Sequence, residues 1–328
     1  MVRRGLAAGT VGKTHRLDHA RQGAYRYTVG RYATPVLEVQ PGDRILVETE
    51  DAFEGKIASE ADSPSAKLEL PFVNPQNGPI VVAGAEKGDV LAVYVEAIHP
   101  RGPQPRGTTC FLPEMGGLVG TTYTATLNPP LPERVYKTNV DEECVYWSKH
   151  IRLPYAPFLG TIGTAPEIDS ISSLWPGNHG GNMDIPDTAP GNIIYLPVRA
   201  PGAYLYLGDC HAAQGDGELC GVAVEIASET AIIVDLIKHW KINWPRIEHA
   251  DWIMSVGSVR PMEDAARIAY RDLIYWMADD YGFDQAEAYM LLTQCGRVRL
   301  GNMVDPNYTI GASIAKQYLL SNRDADRS

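Results

Sequence analysis

Hydrophobic runs of strand length, broken at short intervals by turn residues, set the pattern of the first three quarters of the chain. PVLEVQPGDRILVETEDAFEG alternates apolar and polar positions on either side of a Pro-Gly-Asp turn and predicts two strands, with Val36, Ile45 and Val47 as strand formers. VNPQNGPIVVAGAEKGDVLAVYVEAIHP repeats that rhythm, with a short strand over Ile80–Ala83, a Lys-Gly-Asp turn and a long strand over Val90–Ile98. Tyr204–His211 reads as a strand entering a turn. ELCGVAVEI and TAIIVDLI read as a hairpin after it. Many short strands joined by turns of one kind predict a mainly β, sandwich-like fold.

The last quarter changes period. From Pro261 to Tyr281 the apolar residues Met262, Ala265, Ala266, Ala269, Leu273, Trp276 and Met277 recur on one helical stripe, with Gly282 as the stop. Phe283-Asp284 followed by Glu287 predicts the start of a second helix reaching about Leu292. Arg297–Val304 predicts a strand and Ile310–Leu320 a short closing helix. The expected organisation is a loose basic arm over residues 1–34, a β-rich body over 35–260 and a smaller α+β part over 261–328, packed on that body.

Composition narrows the partners. The formal charge of −11 and the absence of a basic patch argue against nucleic acid and anionic membranes. No run approaches the ~20 apolar residues of a membrane span. The start of the sequence lacks the apolar run of a signal peptide. The five cysteines include no Cys-x-x-Cys pair, so reduced thiols in the cytoplasm are expected.

The candidate chemistry gathers in two polar knots, PGNHGGNMD (176–184) and GDCHAAQGDGE (208–218). On an extended strand Asp209 and His211 share a face, as a pair of metal ligands or as a base and its orienter. The glycines of QGDGE let the chain turn Glu218 back toward His211. Strict alternation sets Glu218 and Glu225 on opposite faces, which ranks Glu218 above Glu225. Adjacent strand residues point apart, so Cys210 is badly placed to meet His211 as a nucleophile, and no Gly-x-Ser-x-Gly elbow occurs. Gly180 and Gly181 allow close approach of backbone amides to a ligand. Asp51, at a strand end, either caps the surface or faces the site. Glu114 in its glycine-flanked loop either reaches the site or is solvated.

Together with PGDRILVETEDA, FLGTIGTAPE and the C-terminal helices, the two knots resemble the acetamidase/formamidase family over most of the chain. The resemblance implies that family's β-sandwich-like fold, hydrolysis of short amides to carboxylate and ammonia, a divalent metal such as Zn2+ with a second ion such as Ca2+, and a homo-oligomer. On this reading His179, Asp184, Asp209, His211 and Glu218 hold metal. Glu218, Asp209 and Gln214 are catalytic, with Glu218 the preferred base. Asn178, Gly180, Gly181, Asn182, Asp51 and Glu114 contact substrate. The alternatives left open are a small lactam or larger amide as substrate, and a metal-dependent binding protein without catalysis.

Overall fold

The computed structural model describes residues 11–112, 115–118 and 131–319. Two large sheets dominate it. The first has nine strands in the order Thr14–Leu17, Arg44–Thr49, Ser228–Ile237, Val90–Pro100, Ile193–Pro197, Arg246–Glu248, Trp252–Val259, Tyr308–Ala315 and Arg297–Leu300. The second has ten strands. Its path runs Leu153–Pro154, Cys144–Tyr146, Arg134–Val140, Arg106–Phe111, Glu225–Ile226, Leu205–His211, Phe158–Thr164 and Gly180–Asn182. Gln76–Val82 joins that sheet beside Leu205–His211, and Leu37–Val39 pairs with it in turn.

The sheets meet through one apolar core. Ile45, Val93, Val95, Ile194 and Leu196 come from the first sheet, and Ile80, Leu159, Ile162, Leu205 and Leu207 from the second. The other face of the nine-stranded sheet carries the helix Met262–Tyr281, forming a second core. This explains the unbroken apolar runs in its central strands. Along Val90–Val95, Leu91, Val93 and Val95 face the second sheet, while Val90, Ala92 and Tyr94 face the helix. Both faces are buried, so both parities are apolar.

The long helix matches its predicted stripe. Ala265, Ala269, Leu273, Trp276 and Met277 are buried, and Gly282 closes it in the left-handed region at φ 75°. The second helix, Gln285–Cys295, starts where Asp284 accepts hydrogen bonds from the Ala286 and Glu287 backbone N–H groups.

Three expectations are corrected. Residues 308–315 form a strand rather than a helix, hydrogen-bonded on both edges, with Ile310, Ala312 and Ile314 alternating into the helix-side core. From Thr14 the arm is built into the first sheet, parallel to Arg44–Leu46 and Val47, and His15 Nε2 lies 2.7 Å from Asp43 Oδ2. The segment 217–224 is irregular rather than strand, so the predicted hairpin shrinks to Glu225–Ile226 leading into Ser228–Ile237. Among the described residues, no helix is long and apolar enough to cross a membrane.

Candidate functional site

The site grows from the end of the strand Leu205–His211. Its neighbour Glu225–Ile226 pairs in a register that sets Glu225 opposite His211. On the other side, the pairing with Phe158–Thr164 skips Gly160 and Asp209. Asp209 has a left-handed φ of 56°, so the strand is kinked where its carboxylate leaves it. A Cβ on Gly160 would lie 2.8 Å from both Asp184 Oδ1 and Asp209 Oδ2, so the missing side chain makes room for two acids. Asp184, Glu218 and Asn74 also have left-handed φ values, of 45°, 51° and 55°. Each such residue costs on the order of 1 kcal/mol, and four of them converge on one centre, as strain does at functional sites.

Two buried triplets offer ligand atoms lying within 4.8 Å of one another: Asp184, His211 and Glu218, and Asp209, His211 and Glu225. His211 belongs to both. Its Nε2 is 3.5 Å from Asp209 Oδ1 and 3.2 Å from Glu225 Oε2. The far atoms of Asp209, Glu225 and His211 are tied back. Asp209 Oδ2 accepts from Asn74 Nδ2 at 2.9 Å and Thr161 Oγ1 at 3.2 Å. Glu225 Oε1 accepts from the Ala223 N–H at 3.0 Å. Gln214 spends its amide nitrogen on the carbonyls of Asp184 and Gly301, so its Oε1 is left to accept from His211 Nδ1 at 2.9 Å. In the neutral imidazole the proton therefore sits on Nδ1, and the Nε2 lone pair faces the acids.

What remains is a set of buried atoms without hydrogen-bond partners: Asp184 Oδ1, Asp209 Oδ1, His211 Nε2 and Glu225 Oε2. A lone pair facing carboxylate oxygens is repulsive unless a positive charge, a proton on Nε2 or a metal ion, lies between them. One imidazole nitrogen and several carboxylate oxygens, each oriented by a hydrogen bond behind it, suit a divalent metal.

The electrostatics agree. Burial raises Asp184 and Glu218 well above the usual carboxylate range, and neighbouring acids raise them further. Burial pushes Glu225 and Asp305 up to about 7. Burial would depress His211, but Glu225 and Asp209 outweigh it and lift the imidazole well above its ordinary value. These shifts favour protons on the cluster, and a bound cation would displace them.

Of the residues singled out in the sequence, the structure brings together Asp184, Asp209, His211, Gln214 and Glu218. Asn182 stands at the edge, accepting from Thr161 and Asn74 and donating to Asp305 Oδ2 at 2.9 Å. His179 is buried in neither triplet. Its ring nitrogens have no partner, and burial together with Arg199 pulls it down to about 4. Gly180 and Gly181 permit a close backbone crossing: a Cβ there would strike Ile162 O at 2.3 Å or Trp175 O at 2.4 Å. Asn178 is exposed in the turn. Asp51 accepts from the Phe53 and Gly55 N–H groups and caps its own turn. Asp216 is exposed and pairs with Arg299 at 2.8 Å. Glu114 lies outside the described residues.

The site also holds Asp305, Thr161 and Asn74, and with them Glu225, which strict alternation ranks below Glu218. That ranking counts alternation through 217–224, which is not a strand, so parity does not carry across it. Asp305 follows Asn302 in a loop whose pattern carries no chemical signal.

Glu218 and Gln214 also line a cavity of about 800 Å3. Cys210 faces the other way. Its Sγ accepts from Ser228 Oγ at 3.2 Å within the inter-sheet core, and burial pushes the thiol up.

The acetamidase/formamidase family model matches residues 19–175 and 169–317. The crystal structure of an acetamidase from Yersinia enterocolitica is 61% identical, covers 96% of each chain and superposes with a TM-score of 0.92. An acetamidase from Mycolicibacterium smegmatis is 27% identical, spanning 77% of this chain and 81% of its own. A gamma lactamase from Delftia acidovorans, 22% identical over 90% of this chain and 89% of that one with a TM-score of 0.63, shares the fold.

Proposed function

Because the chain belongs to the acetamidase/formamidase family and is a hydrolase of linear amides, we propose that it cleaves a short-chain primary amide to carboxylate and ammonia by water attack at a divalent-metal centre. The observation that carries the reading is the convergence of Asp184 Oδ1, Asp209 Oδ1, His211 Nε2 and Glu225 Oε2, all buried and all unpartnered. The ion we favour is Zn2+, for its match to imidazole and carboxylate, with a second ion such as Ca2+ suited to the surrounding oxygens. When bound, the ion supplies Lewis acidity that polarises the carbonyl and acidifies water.

The chain's own residues do the rest. Gln214 fixes the tautomer of His211. Asn74 and Thr161 hold Asp209, and the Ala223 N–H holds Glu225. Glu218 lines the cavity and belongs to the triplet with Asp184 and His211, so it reaches both substrate and centre. Its raised affinity for a proton suits it to take one from the attacking water and give it to the amide nitrogen as the C–N bond breaks. Water thus supplies the new C–O bond and ammonia leaves. The five cysteines are free thiols, which supports a cytoplasmic setting.

The test is ammonia release from formamide and acetamide before chelation, after it, and after adding zinc back. Turnover lost on chelation and restored by zinc is the expected result. Turnover indifferent to chelation would overturn the metal centre.

A further inference from the structure

The cavity beside Glu218 is far larger than the amides named above require. Formamide and acetamide have three and four heavy atoms, whereas about 800 Å3 is a volume that holds a drug-sized ligand. Its walls are chemically uneven. Glu218 and Gln214, on the wall, belong to the buried acid cluster or touch it. Apart from Thr109 and Asp216 the rest of the described lining is mostly apolar, with Phe111, Trp147, Leu153 and Val224 among the side chains. No Lys, Arg or His is among the described residues that line it. Asp216, also on the wall, is turned to Arg299 outside the cavity. An anionic substituent would find no counter-charge there and would face the carboxylates of the acid cluster. A neutral apolar one would remove hydrocarbon from water on both sides.

Resting on the amide-hydrolase reading, we infer that this enzyme takes neutral primary amides whose acyl group is a sizeable apolar chain or ring, with the carboxamide at Glu218 and the apolar part against Phe111, Trp147 and Leu153. Specificity then comes from the apolar wall, and acetamide uses only a small part of the site. Each methylene buried against that wall should raise kcat/KM by about fourfold until the space is filled.

The experiment compares kcat/KM, by ammonia release from the zinc-loaded protein, for acetamide, butyramide, hexanamide, phenylacetamide and the anionic amide succinamate. The expected result is a rise from acetamide to hexanamide and phenylacetamide of at least about tenfold, with succinamate the poorest. Ala156, exposed on the cavity wall, gives the matching variant. Ala156→Trp should lower kcat/KM for phenylacetamide at least about tenfold more than for acetamide. Acetamide turned over well, with kcat/KM falling as the acyl group grows, would overturn the inference while leaving the amidase reading intact. No ammonia from any amide, acetamide included, would overturn both.

Discussion

Glu225 Oε2 lies 3.2 Å from His211 Nε2, across the rung that pairs their two strands, and neither atom has a hydrogen-bond donor to satisfy it. The contact makes sense with a positive charge between the two groups. Glu225→Gln keeps the shape and removes the charge. Zinc retained after dialysis should fall, and kcat/KM on acetamide should fall at least about 100-fold, with the circular dichroism spectrum unchanged. Wild-type zinc content in this variant would remove Glu225 from the centre.

Gln214 touches His211 through Nδ1 rather than through the lone pair that faces the acids. Gln214→Glu can still accept from Nδ1 but cannot donate to the carbonyls of Asp184 and Gly301. Calorimetric titration with zinc should show affinity about 10- to 100-fold weaker. An unchanged dissociation constant would mean that Gln214 does not orient the imidazole.

Gly160→Ala places a methyl group where the carboxylates of Asp184 and Asp209 now sit, 2.8 Å from an oxygen of each. The neighbouring strands cannot yield without breaking their register, so the melting temperature should drop by the equivalent of about 1–3 kcal/mol, and zinc should be lost with it. A fully stable, metal-replete Gly160→Ala protein would contradict the packing described around these acids.

Metal stabilisation should grow with pH. Burial lifts Glu225 and Asp305 to about 7, and raises Asp184 and Glu218 as well. Each carboxyl holds its proton more tightly folded than unfolded. Its contribution to the metal-free protein is therefore complete below about pH 4 and fades as pH rises toward 7. His211, also raised, has the same sign: its contribution is present below about pH 6.5 and is lost as pH rises through its folded value. Scanning calorimetry from pH 5 to 7 should show the gap between zinc-loaded and chelated melting temperatures widening. A gap that narrows would reverse the assignment.

Cys210→Ala should leave kcat on acetamide within about twofold while costing on the order of 1 kcal/mol of stability, because the thiol fills the inter-sheet core beside Ser228 and Thr49. Abolished turnover in a folded Cys210→Ala protein would reopen a cysteine mechanism.

Elements with a strong period were legible in the sequence. The helix stripe from Ala265 to Met277 packs as its spacing implies, and Asp209 and His211 leave one strand end together. Parity arguments failed where the backbone leaves the strand. Glu225 was misjudged by counting through 217–224, and the kink at Asp209 has no sequence mark beyond the glycine before it. The helix expected after Ile310 fails for a different reason. Ile310, Ala312 and Ile314 do alternate with period two, but a short run holding Ala and Gly fits either period until both flanking strands are in place. Asp305 and Asn74 reach the site only through tertiary approach from distant loops, which local pattern does not encode.

The strand Tyr308–Ala315 is the last strand among the described residues, yet it fills an interior slot between Trp252–Val259 and Arg297–Leu300. The loop just ahead of it carries Asn302, which reaches toward Asp184, and Asp305, which receives the amide of Asn182. During synthesis, therefore, the acids from 184 to 225 emerge long before the segment that closes the sheet and completes their surroundings. A nascent chain arrested before this strand would present a row of mutually repelling carboxylates with no finished cage. Completion of the centre is thereby coupled to emergence of this strand, and a product truncated ahead of it should assemble neither the sheet nor the acid cluster.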